Sequence, residues 1–274
     1  MAKKEFNSME EITNICNWIK NYFVEEANAT SKAIIGISGG KDSTIAAALL
    51  VRALGPERVL GVLMPQGVQP DIDDARAICD RLGIDHVEID IGTACSALYR
   101  SIDEAWDFDH QCEKLPIVGT NTPARIRMTT LYAMAGIVGG RVCNTCNWSE
   151  DYIGYSTKYG DCAGDFAILS KYTVSEVLQI GKMLSTLMDI PEFFIYKAPS
   201  DGMCGTTDED NLGFTYETLD KFLLEGIIPD YPIYRNIQQR YKRNLHKTNC
   251  IRLPAPQPLA YRRYMGYEGG PFEF

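Results

Sequence analysis

The chain has 274 residues, 45% of them hydrophobic, enough to bury one large core as a single domain or a domain with an appendage. Its 27 Lys and Arg face 36 Asp and Glu, and the net charge of −9 excludes wholesale binding of nucleic acid, whose phosphates reward basic surfaces, while leaving a local basic groove open. No apolar run approaches the roughly 20 residues of a membrane span, the opening MAKKEFNSMEEIT has no apolar signal region, and the 9 cysteines follow no framework spacing and read as free thiols, so the cytoplasm is the expected compartment. The sequons at Asn28 and Asn147 are then coincidental.

In chain order, Ile12, Ile15, Ile19, Tyr22 and Phe23 recur at helical spacing and predict an amphipathic helix over 10–27. A strand over 33–37 follows, then a glycine loop, then a helix over 44–54 stopped by Gly55-Pro56. The run RVLGVLM predicts a buried strand over 58–64, with a helix over 71–82 and a third strand over 86–91 behind it. This alternation predicts an α/β fold of three layers, a doubly wound and mostly parallel sheet with flanking helices. A helix over 93–106 and a long one over 123–137 lead to a strand over 141–144, and ligand chemistry should gather at strand C-termini. The segment after Asn144, rich in Gly, Ser, Tyr and Asp, reads as an ordered binding loop. Helices return over 173–188, 215–225 and 234–244. With no repeat, low-complexity tract or linker, residues 1–274 are expected to form one domain: the N-terminal helix, a core over about 33–200, and a helical segment and tail over about 205–274.

The most informative stretch is IIGISGGKDST, residues 34–44. Two successive glycines let backbone N–H groups turn toward an anion, and the helix N-terminus behind them adds partial positive charge, so the junction reads as a phosphate cradle. It is not a Walker A loop, because the residue five before Gly40 is Ile35 and Lys41 is followed by Asp42.

Ser38-Gly39-Gly40-Lys41-Asp42-Ser43 instead resembles the SGGxDS loop of the ATP pyrophosphatases, which adenylate a substrate and release pyrophosphate. Together with MPQGVQPDIDDA (64–75), NTPARIRM (121–128), TCNWSEDYIGYSTKYGD (145–161), APSDGMCGTTDEDNLGFTYETLD (198–220) and LHK (245–247), taken in that order, it resembles the ammonia-dependent NAD synthetase family from about residue 33 to residue 246. The resemblance implies a Rossmann-like ATP pyrophosphatase core and an enzyme that activates deamido-NAD with ATP as an acyl adenylate, which ammonia converts to NAD and AMP. It implies that Gly36, Ile37, Ser38, Gly39, Gly40, Lys41, Asp42 and Ser43 cradle the β- and γ-phosphates, and that Thr145 and Ser200 contact ATP. Asp42 and Glu150 would hold Mg²⁺, a hard cation suited to carboxylates and phosphate oxygens. Arg125, Lys158, Asp165, His246 and Lys247 would contact deamido-NAD, with Tyr155 stacked on the nicotinate ring or merely packed. Asp161 would accept the proton that ammonium must lose before attacking. A homodimer is implied too, with the deamido-NAD site at the interface and apolar helices over 10–27 and 123–137 available to form it.

Plainer roles stay open: Asp42 as a first-turn anion, Glu150 as a solvated loop acid, Arg125 as an ordinary first-turn residue, Asp161 as a turn former after Gly160, and His246 and Lys247 as tail residues. The chain also departs from the family. Val174 stands where relatives often place a Lys, leaving Lys171 as the nearby substitute, and Asn144-Thr145-Cys146-Asn147 keeps the Thr but changes its neighbours. Cys143 and Cys146 raise a rival reading as a tRNA-thiolating enzyme, and a nucleotide-sensing module without turnover is a second. Because the glycine loop begins so early and no cysteine sits in an amidase motif, free ammonia is the expected nitrogen source rather than glutamine.

Overall fold

The computed structural model describes residues 6–28, 30–69, 71–105, 116–196 and 207–248. Five strands, β1 (Lys32–Gly36), β2 (Val59–Leu63), β3 (Asp85–Glu88), β4 (Gly140–Asn144) and β5 (Phe166–Ala167), form one sheet in the order β3-β2-β1-β4-β5, and every pair is parallel. Alternation along the central strands divides the core in two. Ala33, Ile35, Val59, Leu63 and Cys143 point to one face, and Ile34, Leu60, Val62 and Val142 to the other.

On the first face α1 (Ser8–Tyr22), α2 (Lys41–Leu54), α3 (Ile72–Leu82) and α7 (Val174–Met188) supply the cover; on the second, α4 (Gly92–Ala105) and α5 (Pro116–Val138) do. The sheet is therefore a filled middle layer of an α/β sandwich. A third apolar cluster joins α6 (Trp148–Ile153), α9 (Asp208–Leu212), α10 (Tyr216–Glu225) and α11 (Tyr231–Thr248) around Ile153, Leu212, Leu219 and Ile237. The short α8 (Phe193–Tyr196) packs back on α2 and α7.

Several boundaries move from their sequence expectations for identifiable reasons. The N-terminal helix relaxes into a π-helical turn at Phe23–Ala27, where Phe23 stays fully buried. Helix α2 begins at Lys41, not at residue 44, because Gly40 is already its N-cap, so Lys41 and Asp42 stand in its first turn. Helix α5 runs through Pro123 instead of starting there. The segment after Asn144 contains α6 and β5, whose polar, glycine-punctuated sequence gives little periodicity to detect. No helix among the described residues is long and apolar enough to cross a membrane.

Candidate active site

Strand order reverses between β1 and β4, which places the crevice beyond their carboxyl ends. The 36–43 loop leaves β1 there, and the 145–165 segment leaves β4 beside it. Gly39 has φ +82°, and a Cβ at that position would meet the Asp71 carbonyl at 2.8 Å, so both its backbone angle and the close approach of the 64–75 loop require glycine. The two serines brace the loop: Ser43 Oγ lies 3.2 Å from Ser38 Oγ, accepts from the Ser38 N–H at 3.3 Å and donates to Gly40 O at 3.1 Å. Gln69 donates to Ser38 O at 3.4 Å.

Lys41 is buried in this turn, with Nζ 2.5 Å from Asp42 Oδ2. Burial works against its charge, but Asp42, Glu150 and Asp208 outweigh burial and hold its pKa above the ordinary value. Glu150 reaches the same place from α6. Burial first, and the Asp42 charge second, push its carboxyl pKa well up, while Lys41 opposes the shift. Asn147 joins the two halves. It caps α6 by accepting from Glu150 N at 3.1 Å, Glu150 Oε2 accepts from Asn147 N at 3.1 Å, and Asn147 Nδ2 donates to Asp42 Oδ1 at 3.3 Å. Two carboxylates on separate elements thus converge beside the braced 38–43 turn, with the negative charge only partly compensated by Lys41.

Asp161 lies in the turn that follows α6. Its Oδ1 accepts from Thr157 N at 2.7 Å, which closes the turn, and its carbonyl accepts from Asn144 Nδ2 at 2.8 Å, which ties that turn to the end of β4. Burial of the carboxyl group raises its pKa, countered by the Thr157 amide and the Lys247 charge, although the residue as a whole is exposed. Asp151, on α6, is pushed to about 7 by burial and then by the Asp161 charge.

The residues expected to contact the second substrate gather around this turn. Arg125 Nε donates to Lys158 O at 3.2 Å, and Asp165 accepts from Val142 N at 2.8 Å and from the Tyr132 hydroxyl at 3.4 Å. Lys158, Tyr132, Cys162 and Lys247 line a recess of about 170 Å³. Lys247 and His246 are delivered by the last turn of α11, which lies so close to Gly154 (φ +62°) that a Cβ there would meet Asn244 Cβ at 2.1 Å. Lys247 donates to Gly154 O at 2.7 Å and is half-buried, whereas His246 is exposed and its Nδ1 lies 2.9 Å from Arg243 O. Tyr155 accepts from Asn211 Nδ2 at 3.3 Å and packs at the edge of the third cluster. Thr145 follows β4 at the crevice, and Ser200 lies outside the described residues.

Residues the sequence reading passed over also reach the site: Asn147, Asp151, Asp208, Tyr216 and Arg127, whose Nε donates to Met64 O at 3.0 Å. Only Asn147 carried a local signal, the Asn-x-x-Glu spacing of a capping box. Cys143 and Cys146 are buried with raised thiol pKa values, burial being the main cause, and their Sγ atoms lie 3.3 Å from Asn144 O and 3.4 Å from Asp161 O. Thiols held in this way stay protonated and are poor nucleophiles, against the thiolating reading. Among the described residues no group of three His, Cys, Asp or Glu is placed to hold a metal by itself.

The family model described as NAD synthase matches residues 11–251. The chain belongs to the NAD synthase family. It is 38% identical over 222 residues to the NH(3)-dependent NAD(+) synthetase of Carboxydothermus hydrogenoformans, covering 80% of this chain and 87% of the relative. Among solved structures it is similar to NMN synthetase from Francisella tularensis, with TM-score 0.79, 33% identity and coverage of 93% of this chain and 100% of that one. It is also similar to the NH3-dependent NAD synthetase from Campylobacter jejuni, with TM-score 0.68, 27% identity and coverage of 92% and 100%.

Proposed function

We infer that the chain is an ammonia-dependent NAD synthetase, a ligase that amidates deamido-NAD while ATP is converted to AMP and pyrophosphate. The carrying observation is the convergence of Asp42 and Glu150 from opposite sides of the switch point onto the 38–43 turn, in a chain with relatives of that name over most of its length. A carboxylate oxygen of the nicotinate attacks the α-phosphorus and pyrophosphate leaves. Ammonia then attacks the acyl carbon, and AMP leaves with that oxygen.

The site residues take the following roles in this reading. The braced turn and Lys41 bind the triphosphate, with Thr145 beside them. Asp42 and Glu150 fit a hard divalent cation, since two half-buried carboxylates share incomplete compensation and phosphate oxygens would complete the shell. Mg²⁺ bound there supplies neutralisation of the triphosphate charge. Asp161 takes the ammonium proton, and Lys158, Arg125, Asp165, His246 and Lys247 orient the deamido substrate. Mixing ATP, Mg²⁺, ammonium and deamido-NAD with the purified chain should release pyrophosphate and NAD together; pyrophosphate release indifferent to deamido-NAD would contradict the reading.

One observation favours a second acceptor of the same chemistry. The Francisella NMN synthetase superposes with TM-score 0.79, against 0.68 for the Campylobacter NAD synthetase. The deamido mononucleotide is therefore the alternative substrate, and the ratio of kcat/KM for the two acceptors decides between them.

We also propose a homodimer and a cytoplasmic location. The apolar stripe of α1 is covered within the chain by α2 and α7, so the surplus lies instead on α4 and α5, where Leu98, Ile102, Tyr132 and Ile137 are exposed. Sedimentation of the active chain as a dimer supports this assembly, and full activity as a monomer refutes it.

A further inference from the structure

Among the described residues one buried side-chain polar atom finds no hydrogen-bond partner, the hydroxyl oxygen of Tyr216. Tyr216 opens α10 and is 3% exposed. Its backbone N–H donates to Glu209 Oε1 at 2.8 Å, and its ring packs in the cluster of Ile153, Leu212 and Phe214. These contacts fix the ring, and α10 is tied to α6, the helix that carries Glu150, by the Ser149 hydroxyl donating to Asp220 Oδ1 at 2.5 Å. Glu150, Asp208 and Asp42 lie near enough for their charges to act on the phenol, and the same three act on Lys41. Burial, followed by those charges, keeps the phenol protonated, so it stands in the site as a neutral donor. A buried hydroxyl without a partner is costly, and one held rigidly beside a ligand site has a ready explanation in an acceptor that arrives from outside.

We propose that Tyr216 is a further nucleotide-binding residue, its hydroxyl donating to an oxygen of the cation-bound triphosphate held by the 38–43 turn. A neutral donor suits this place. Another cation would compete with Lys41 and the divalent ion for the same carboxylates, whereas a phenol adds a hydrogen bond to the anion without adding charge. The proposal rests on the cradle being the ATP site, and it adds α10 to the elements that sense the nucleotide.

Tyr216→Phe removes only the oxygen. Binding of a non-hydrolysable ATP analogue with Mg²⁺, measured by calorimetry without a second substrate, should weaken about 5- to 20-fold. The ligand-free variant should unfold at the same denaturant midpoint as the wild type or a higher one, because an unpaired polar group has been removed. Unchanged affinity overturns the proposal. So does a ligand-free variant that unfolds earlier, which would mean that the hydroxyl already has a partner inside the chain. If the wild type itself fails to bind the analogue, the cradle reading falls and takes the proposal with it, a result distinguishable from failure of the Tyr216 role alone.

Discussion

Asn147 ties Asp42 to Glu150 across the switch point: its Nδ2 lies 3.3 Å from Asp42 Oδ1, and its Oδ1 accepts the Glu150 N–H at 3.1 Å. One fully buried amide thus sets the position of two carboxylates that come from well-separated parts of the sequence. Asn147→Ala should raise the Mg²⁺ concentration for half-maximal pyrophosphate release by about 10-fold or more, as loss of a ligand-orienting group does. Loss of the helix cap should also cost about 1 kcal/mol of stability. An Mg²⁺ dependence equal to that of the wild type would reduce Asn147 to a cap alone.

The carboxylates themselves should respond more severely. Asp42→Asn and Glu150→Gln are each expected to lower pyrophosphate release by about 100-fold or more, since each removes charge from the activated complex. Near-normal release from either variant would remove that residue from the metal site.

Asp161 offers a test that separates two roles. Its Oδ1 closes the 157–161 turn, so the geometry alone is also that of a turn former. As the proton acceptor, Asp161→Asn should still form the adenylate while consuming it about 10² to 10⁴ times more slowly. Rapid-quench detection of an accumulating adenylate supports this role. Equal loss of pyrophosphate release and amide formation would assign Asp161 to the turn only.

The acidic cluster should make stability pH-dependent. Burial, with the Asp161 charge second, places the Asp151 carboxyl at about 7 against an ordinary 3.8. The folded value lies above the unfolded one, so the folded chain binds more protons and stability declines as pH rises from about 4 to about 7, then levels off. Glu150 and Asp161 are shifted in the same direction. Urea unfolding of the ligand-free chain should therefore show higher stability at pH 5 than at pH 8. Asp151→Asn should remove part of the difference, on the order of 2 kcal/mol after allowing for partial exposure. A pH slope unchanged by Asp151→Asn would show that this carboxyl is not forced to ionise at a cost.

What the sequence disclosed follows from how local each cause is. The β1 strand, the paired glycines and the helix behind them are consecutive, so the glycine turn is legible in SGGKDS itself, and alternating apolar runs reveal the parallel sheet. The start of α5 at Pro116 was not legible, because PIVGTN ahead of Pro123 is a poor helix former whose ordering comes from its place in the fold. Tyr216, Asp151 and Asp208 were hidden for a different reason. Tyr216 reads as a routine apolar helix residue, and only the docking of α10 against α6 and α9 brings its phenol within reach of the Glu150 charge. Asp151 follows Glu150 directly in sequence, yet its environment comes from burial in the fold and then from the charge of Asp161 ten residues later.

The acyl adenylate is the centre of this account, and isotope transfer tests it most directly. Deamido-NAD carrying ¹⁸O in both oxygens of its nicotinate carboxylate should be turned over with ATP, Mg²⁺ and ammonium, and the AMP examined by mass spectrometry. One ¹⁸O should appear in each AMP formed and none in pyrophosphate, because the attacking carboxylate oxygen departs on the α-phosphorus. AMP without label, or label recovered in inorganic phosphate alongside ADP, would contradict adenylation at this site.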